Sequence, residues 1–95
     1  MNYFLEVTDA ADKEIEEAFI WYESEQEKLG IRFLDCLDDA FTLITDFPNS
    51  FPIRVRNYHE YYLGNFPFII SYQIDGEKIV IHSIFHTSRN PKRKN

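Results

Sequence analysis

Six side chains in the second half of this 95-residue chain have the chemistry to hold anions or to move protons: Arg54, Arg56, His59, His82, His86 and Arg89. A guanidinium holds anionic oxygens in a planar fork, and an imidazole changes charge near neutral pH. Arg54 and Arg56 stand two apart, so on a regular strand both project from one face. The same rule puts His82 on a common face with Ile84 and His86 if the last strand stays regular. Asn90 and Pro91 stop that strand, which leaves His86 and Arg89 at a sheet rim. Convergence of these groups would make an anion site with its own acid or base. Each also has a plainer reading: paired arginines on an edge strand block aggregation, and a histidine among apolar neighbours is commonly a packed, hydrogen-bonded residue.

The elements that must position them begin with the carboxy-terminal third. Phe66 to Ile74 and Lys78 to Ile84 alternate apolar and polar residues across Asp75-Gly76. Asp and Gly tolerate the positive φ angles of a tight reversal, so the two runs predict a β-hairpin. Upstream, Ile53 to Arg56 and Tyr58 to Leu63 are β-branched and aromatic, together a further strand after the turn-rich Pro48 to Pro52. Gly64-Asn65 separates it from the hairpin, and a meander follows.

Two helices precede these strands. Thr8 or Asp9 can cap the first, in which Ala11, Ile15, Ala18, Phe19, Tyr22 and Gln26 recur at helical spacing. Gly30 is expected to end it by adopting a left-handed conformation. A second helix is expected from Ile31 to about Phe47, with Phe33, Leu37, Ala40, Phe41 and Ile44 on one side and a stop at Pro48. So short a connection demands an antiparallel helix hairpin. Asn2 to Val7 is a short first strand. The expected fold is therefore α+β: an N-terminal strand, a helix hairpin, then a three-stranded antiparallel meander, with the helices on one sheet face and the other face open. Residues 1–95 form one domain, of which 92–95 read as a flexible basic tail.

Charge divides along the same line. Residues 8 to 47 carry twelve acids against three bases, a balance of -9, whereas residues 53 to 95 carry seven bases against three acids, a balance of +4. An anionic partner should meet the second half. The lone Cys36 excludes an internal disulfide framework and fits a reducing compartment; with no leader or membrane span in view, a soluble, cytoplasmic protein is expected, with no membrane partner. Cys36 has no catalytic partner at suitable spacing, and no metal or other cofactor is expected, since His82 and His86 four apart lie far from each other on a strand. Trp21 and Tyr22 cannot both face the core of one helix, so Trp21 is placed at its boundary. Tyr58, Tyr61 and Tyr62 could stack on bases, but cross-strand packing explains them equally well.

This order of elements, with Glu14-Ile15-Glu16-Glu17-Ala18, Trp21-Tyr22-Glu23, Leu29-Gly30, Phe33-Leu34, Phe66-Pro67-Phe68, Ile70, Tyr72, and the Ile84-Phe85-His86 to Arg89-Asn90-Pro91 ending, resembles the RelE/ParE family of type II toxin–antitoxin toxins. The likeness spans about residues 3 to 92. It implies a toxin neutralised by a cognate antitoxin, through either of two modes of attack. ParE-like members inhibit DNA gyrase by binding; RelE-like members cut mRNA on the ribosome. The nuclease version would be metal-independent, with His86, Arg89 and Arg56 as the catalytic set, a base activating the ribose hydroxyl and cations stabilising the phosphorane. In the binding version Arg54, Arg56, His59, His82, His86 and Arg89 would contact target or antitoxin. Two departures bear on the choice. No aromatic residue follows His86, as RelE-like sites would lead one to expect, and His59 stands near where ParE relatives often carry Arg. A net charge of -6 also suits RNA poorly, because release of counterions drives association with nucleic acid. The balance favours the gyrase-binding reading, with the nuclease and a non-toxic interaction module that kept the fold as alternatives.

Overall fold

The structure, a computed structural model, describes residues 3–88. Strand β1 (Phe4–Val7) leads into helix α1 (Asp9–Glu25) and helix α2 (Leu29–Asp46); a short 3-10 turn (Pro48–Ser50) then precedes strands β2 (Ile53–Val55), β3 (Tyr58–Tyr62), β4 (Phe68–Asp75) and β5 (Lys78–His86). The five strands form one sheet in the order β1-β5-β4-β3-β2, all neighbours antiparallel except β1, which runs parallel to β5. The meander β3-β4-β5 is thus present. The strand-like stretch 53–63 divides into two strands around a turn in which Arg56 has φ 54°.

Alternation sets the two faces of the sheet. Ile70, Tyr72, Ile79, Ile81 and Ile84 are buried against the helices, whose own inner stripes are Ala11, Ala18 and Tyr22 in α1 and Phe33, Leu37, Ala40 and Ile44 in α2. Ser71, Gln73, Val80 and His82 are half-buried. Tyr22, Phe33, Phe66 and Phe68 join helices to sheet through ring pairs with centroids 4.9 to 6.2 Å apart. Trp21 lies outside this cluster at 51% exposure while Tyr22 is buried, as the boundary argument required.

Thr8 fastens the first strand to the first helix. Its hydroxyl oxygen accepts the Ala11 amide at 3.1 Å as an N-cap, and its hydroxyl donates to the His82 carbonyl at 3.2 Å. The junction of the two helices differs from expectation. Helix α1 stops at Glu25, the left-handed residue is Lys28 at φ 72°, and Gly30 lies inside the first turn of α2. The Glu23 carboxylate explains the switch: it accepts the Lys28 amide at 2.8 Å and the Gly30 amide at 2.9 Å, satisfying N–H groups that an α-helix start leaves unpaired. Glycine at position 30 answers a space requirement. A Cβ there would lie 2.8 Å from both the carbonyl oxygen and the Cδ1 of Phe19. Gly30→Ala is therefore expected to push the helices apart and cost about 1–3 kcal/mol, measurable as a lower urea midpoint; an unchanged midpoint would show that the crossing has room to spare.

Candidate functional site

Each sequence-predicted side chain follows from its register position. His59 pairs with Tyr72 across β3 and β4, so it shares the inner face. Its ring stacks on Tyr72 with centroids 4.9 Å apart and planes 12° apart, and Nδ1 lies 2.7 Å from the Phe51 carbonyl oxygen. A carbonyl can only accept, so Nδ1 carries the proton and donates. His59 is 7% exposed and ties the segment before β2 to the sheet.

His82 and His86 do not share a face. Ser71 pairs with Ser83 and Tyr72 with Ile81, which leaves His82 as an extra residue in β5. This bulge resets the alternation. Ile84 and His86 consequently point to the helix side, while His82 turns to the opposite face. There its Nε2 lies 2.9 Å from Gln73 Oε1, and Gln73 Nε2 donates to Asn57 Oδ1 at 2.7 Å. With the Gln73 oxygen accepting, His82 Nε2 is the protonated nitrogen. Tyr58 meets the His82 ring edge-on with centroids 5.1 Å apart, which gives this tyrosine a packing role.

Arg54 and Arg56 occupy the exposed β2 edge, but the two-residue rule does not join them. The register shifts between Ile53 and Val55, and Arg56 sits in the left-handed turn. Arg54 borders a shallow hollow with Phe51, Glu60, Tyr62 and Ile69. Ile53 and Val55 are 55% and 54% exposed, so apolar and cationic groups alternate along this edge. Arg89 lies outside the described residues. The described candidates thus divide among the inner face, the opposite face, the β2 edge and the α1 side of β5, and the single Arg–His cluster considered above is not formed by them.

His86 lines a groove that was not foreseen. It pairs with Phe68, whose ring it meets edge-on with centroids 5.3 Å apart, and its Nδ1 accepts the Ser88 amide at 3.2 Å. Acceptance at Nδ1 puts the neutral ring's proton on Nε2. Opposite stands α1. Ala18, Tyr22 and Phe68 give the groove an apolar lining, Glu14, Glu17 and Trp21 line its helix side, and the hollow measures about 740 Å³. Glu14 is already engaged: Oε1 accepts the Ile84 amide at 2.8 Å and the Ser83 hydroxyl at 3.2 Å. The sequence did hold a signal for this groove, since residues 14, 17, 18 and 21 recur at helical spacing on one flank of α1.

Other groups are quiet. Burial pushes the Cys36 thiol up; the weak contact from Asn65 opposes this shift, and the nearby Asp39 carboxylate adds to it. A raised thiol is a poor nucleophile. Among the described residues, no three His, Cys, Asp or Glu side chains are grouped to hold a metal ion, and no helix is long and apolar enough to cross a membrane.

The family model described as the ParE toxin of the type II toxin–antitoxin system, parDE, matches residues 5–91. No curated protein matches. Among solved structures, a chain of the chromosomal ParDE toxin–antitoxin system from P. aeruginosa superposes with a TM-score of 0.65 at 17% identity, covering 88% of this chain and 95% of that one. At that identity the likeness is one of fold.

Proposed function

Because this chain belongs to the ParE toxin family of type II toxin–antitoxin systems, we propose that it is a cytoplasmic, growth-inhibiting toxin that binds DNA gyrase and is neutralised by a cognate antitoxin. The observation that carries the choice of mechanism is the scatter of its ionisable groups. Cleavage of RNA needs base, acid and cation within hydrogen-bond reach of one phosphate. Here His59 is spent on the Phe51 carbonyl, His82 faces away from His86, and Arg54 and Arg56 lie on the far edge strand and in the turn that follows it. Inhibition by binding needs only a continuous surface.

The β2 edge supplies one. Ile53, Arg54 and Val55 of β2, which has no strand beyond it among the described residues, and Arg56 in the turn that follows, present apolar and cationic side chains in alternate positions of the sequence. Such a strip suits an acidic protein surface, with apolar contacts giving affinity and the arginines giving register. His82 on the face opposite the helices would extend the contact.

Two assays on the purified chain separate the mechanisms. Supercoiling by gyrase is expected to fall as toxin is added, with cellular transcripts intact after induction. Reversing both charges, Arg54→Glu with Arg56→Glu, should raise the inhibitory concentration about tenfold, in line with the loss of one or two kcal/mol at an interface rim. Fragmented mRNA beside normal supercoiling would replace this reading with the nuclease. Rescue of growth by the neighbouring reading frame tests the antitoxin separately.

A further inference from the structure

We propose that Arg56 is the specificity-determining contact of the β2 edge, its guanidinium presented from a strained turn to a carboxylate of the target protein, with Gln73 as the positioning residue of that turn, an inference that rests on the target-binding reading above. Backbone strain marks the position. Arg56 and Asn57 alone separate Val55 from Tyr58, which pair across β2 and β3, so the two residues form a hairpin loop. Arg56 has φ 54°, whereas Asn57 keeps a negative φ. A two-residue loop with positive φ at its first position only is the form that ordinarily carries Gly there, because a β-carbon crowds the neighbouring backbone. Arg in that place brings strain that its side chain alone can account for.

The strained loop is tied down from the middle of the sheet. Asn57 Oδ1 accepts from Gln73 Nε2 at 2.7 Å, and Gln73 Oε1 accepts from His82 Nε2 at 2.9 Å. This chain runs from the bulge in β5 across β4 to the loop, and Tyr58, the first residue after the loop, packs edge-on against the His82 ring. An unfavourable φ persists where the surroundings over-determine it, and these links do so here.

Charge selects the ligand group. Arg56 is exposed, and its guanidinium makes no hydrogen bond or ion pair among the described residues. Arg54 differs, since it shares its hollow with Glu60 of the same chain. The planar fork of Arg56 therefore remains open to a bidentate pair with a carboxylate. A backbone already fixed at the loop lowers the ordering cost of that contact. The local field agrees, because residues 53 to 95 carry a balance of +4.

Arg56→Gly separates fold from recognition, since it removes the strain and the guanidinium together. In the full chain its urea midpoint should equal or exceed the native one, while the concentration that inhibits gyrase supercoiling rises about 5-fold. Arg32→Gln, an equal charge change on α2, should alter that concentration less than about 2-fold. Gln73→Leu should raise it about 3-fold and lower the 15N order parameters of residues 56 and 57; added to Arg56→Gly, it should cost nothing further, because a positioning residue acts only through the group it positions. Arg56→Gly with native potency overturns the proposal, and if Arg54→Glu with Arg56→Glu still weakens inhibition, the β2-edge reading survives it. A lowered urea midpoint in Arg56→Gly removes the strain argument and overturns the proposal as well. Fully additive losses in the double variant deny Gln73 its positioning role. DNA binding by the chain alone that disappears in Arg56→Gly would assign the turn to phosphate instead of carboxylate, and equally overturns it. A native chain that leaves gyrase unaffected removes both this proposal and the target reading beneath it.

Discussion

Truncation of Phe33 to alanine is expected to lower folding stability by about 3–5 kcal/mol, enough to leave much of the chain unfolded at 37 °C. Phe33 is fully buried, and its ring sits between Tyr22 at 5.4 Å, Phe66 at 5.4 Å and Phe68 at 5.3 Å. It is therefore the point where α1, α2 and the start of β4 meet. Alanine removes the transferred area and leaves a cavity that three rigid aromatic neighbours cannot easily close. Phe33→Leu, which fills more of the space, should cost less. Urea titration followed by circular dichroism measures both, and a loss below about 1 kcal/mol for the alanine variant would show that the core is not centred on this ring. Growth inhibition should disappear in Phe33→Ala together with the folded signal, unlike variants at the β2 edge, which should lose potency at unchanged stability.

The parts of the architecture that depend on local pattern could be read from the chain. The Asp75-Gly76 hairpin forms with Gly76 at φ 63°, both helix stripes face the sheet, and Trp21 and Tyr22 take the positions that helical geometry imposes. What escaped reading depends on single residues with no compositional mark. One extra residue at His82 reverses the faces of everything after it, so the regular-strand assumption placed His82 and His86 together although the bulge parts them. A left-handed Arg56 broke the pairing of the arginines in the same way. Gly30 looked like a helix end, yet its function is set by Phe19 across the hairpin, a contact between elements that periodicity does not encode. The parallel docking of β1 on β5 joins the two ends of the described chain and has no local signal either.

These same details shape the functional argument. The bulge at His82 exposes the question of how the interrupted β5 edge is held, and Glu14 answers it by accepting the Ile84 amide. That contact fixes α1 at the distance from β5 that keeps the groove open beside Glu17 and Trp21. On the opposite edge of the sheet, the exposed β2 strip is held by a different set of bonds. His59 donates to the Phe51 carbonyl, Glu60 N–H donates to the Pro52 carbonyl at 2.9 Å, and Tyr72 hydroxyl donates to the Pro48 carbonyl at 2.7 Å. The proposed target surface and the groove between α1 and β5 thus rest on separate supports, which is why variants in one should leave the other intact.

The Tyr72 support makes the fold sensitive to alkali. Tyr72 is 0% exposed, and burial pushes its phenol up from 10.0 to about 12. The folded chain therefore keeps this proton at a pH where the unfolded chain has lost it. Below about pH 10 the phenol is protonated in both states and its contribution to stability is complete; as pH rises from about 10 to about 12 the unfolded state gains by ionising, and about 3 kcal/mol of stability is lost across that window. Ionisation would also remove the hydroxyl donor and set a phenolate against the Pro48 carbonyl oxygen. Urea midpoints taken from pH 9 to pH 12 should show this limb, and Tyr72→Phe should flatten it. The same variant should be less stable by about 1 kcal/mol at pH 7, since the Pro48 carbonyl then lacks its buried donor. If native and Tyr72→Phe chains lose stability in parallel between pH 10 and 12, the alkaline weakness has another source. If they diverge, the bond between Tyr72 and Pro48 is what holds the approach to β2, and with it the arginines proposed to meet the target.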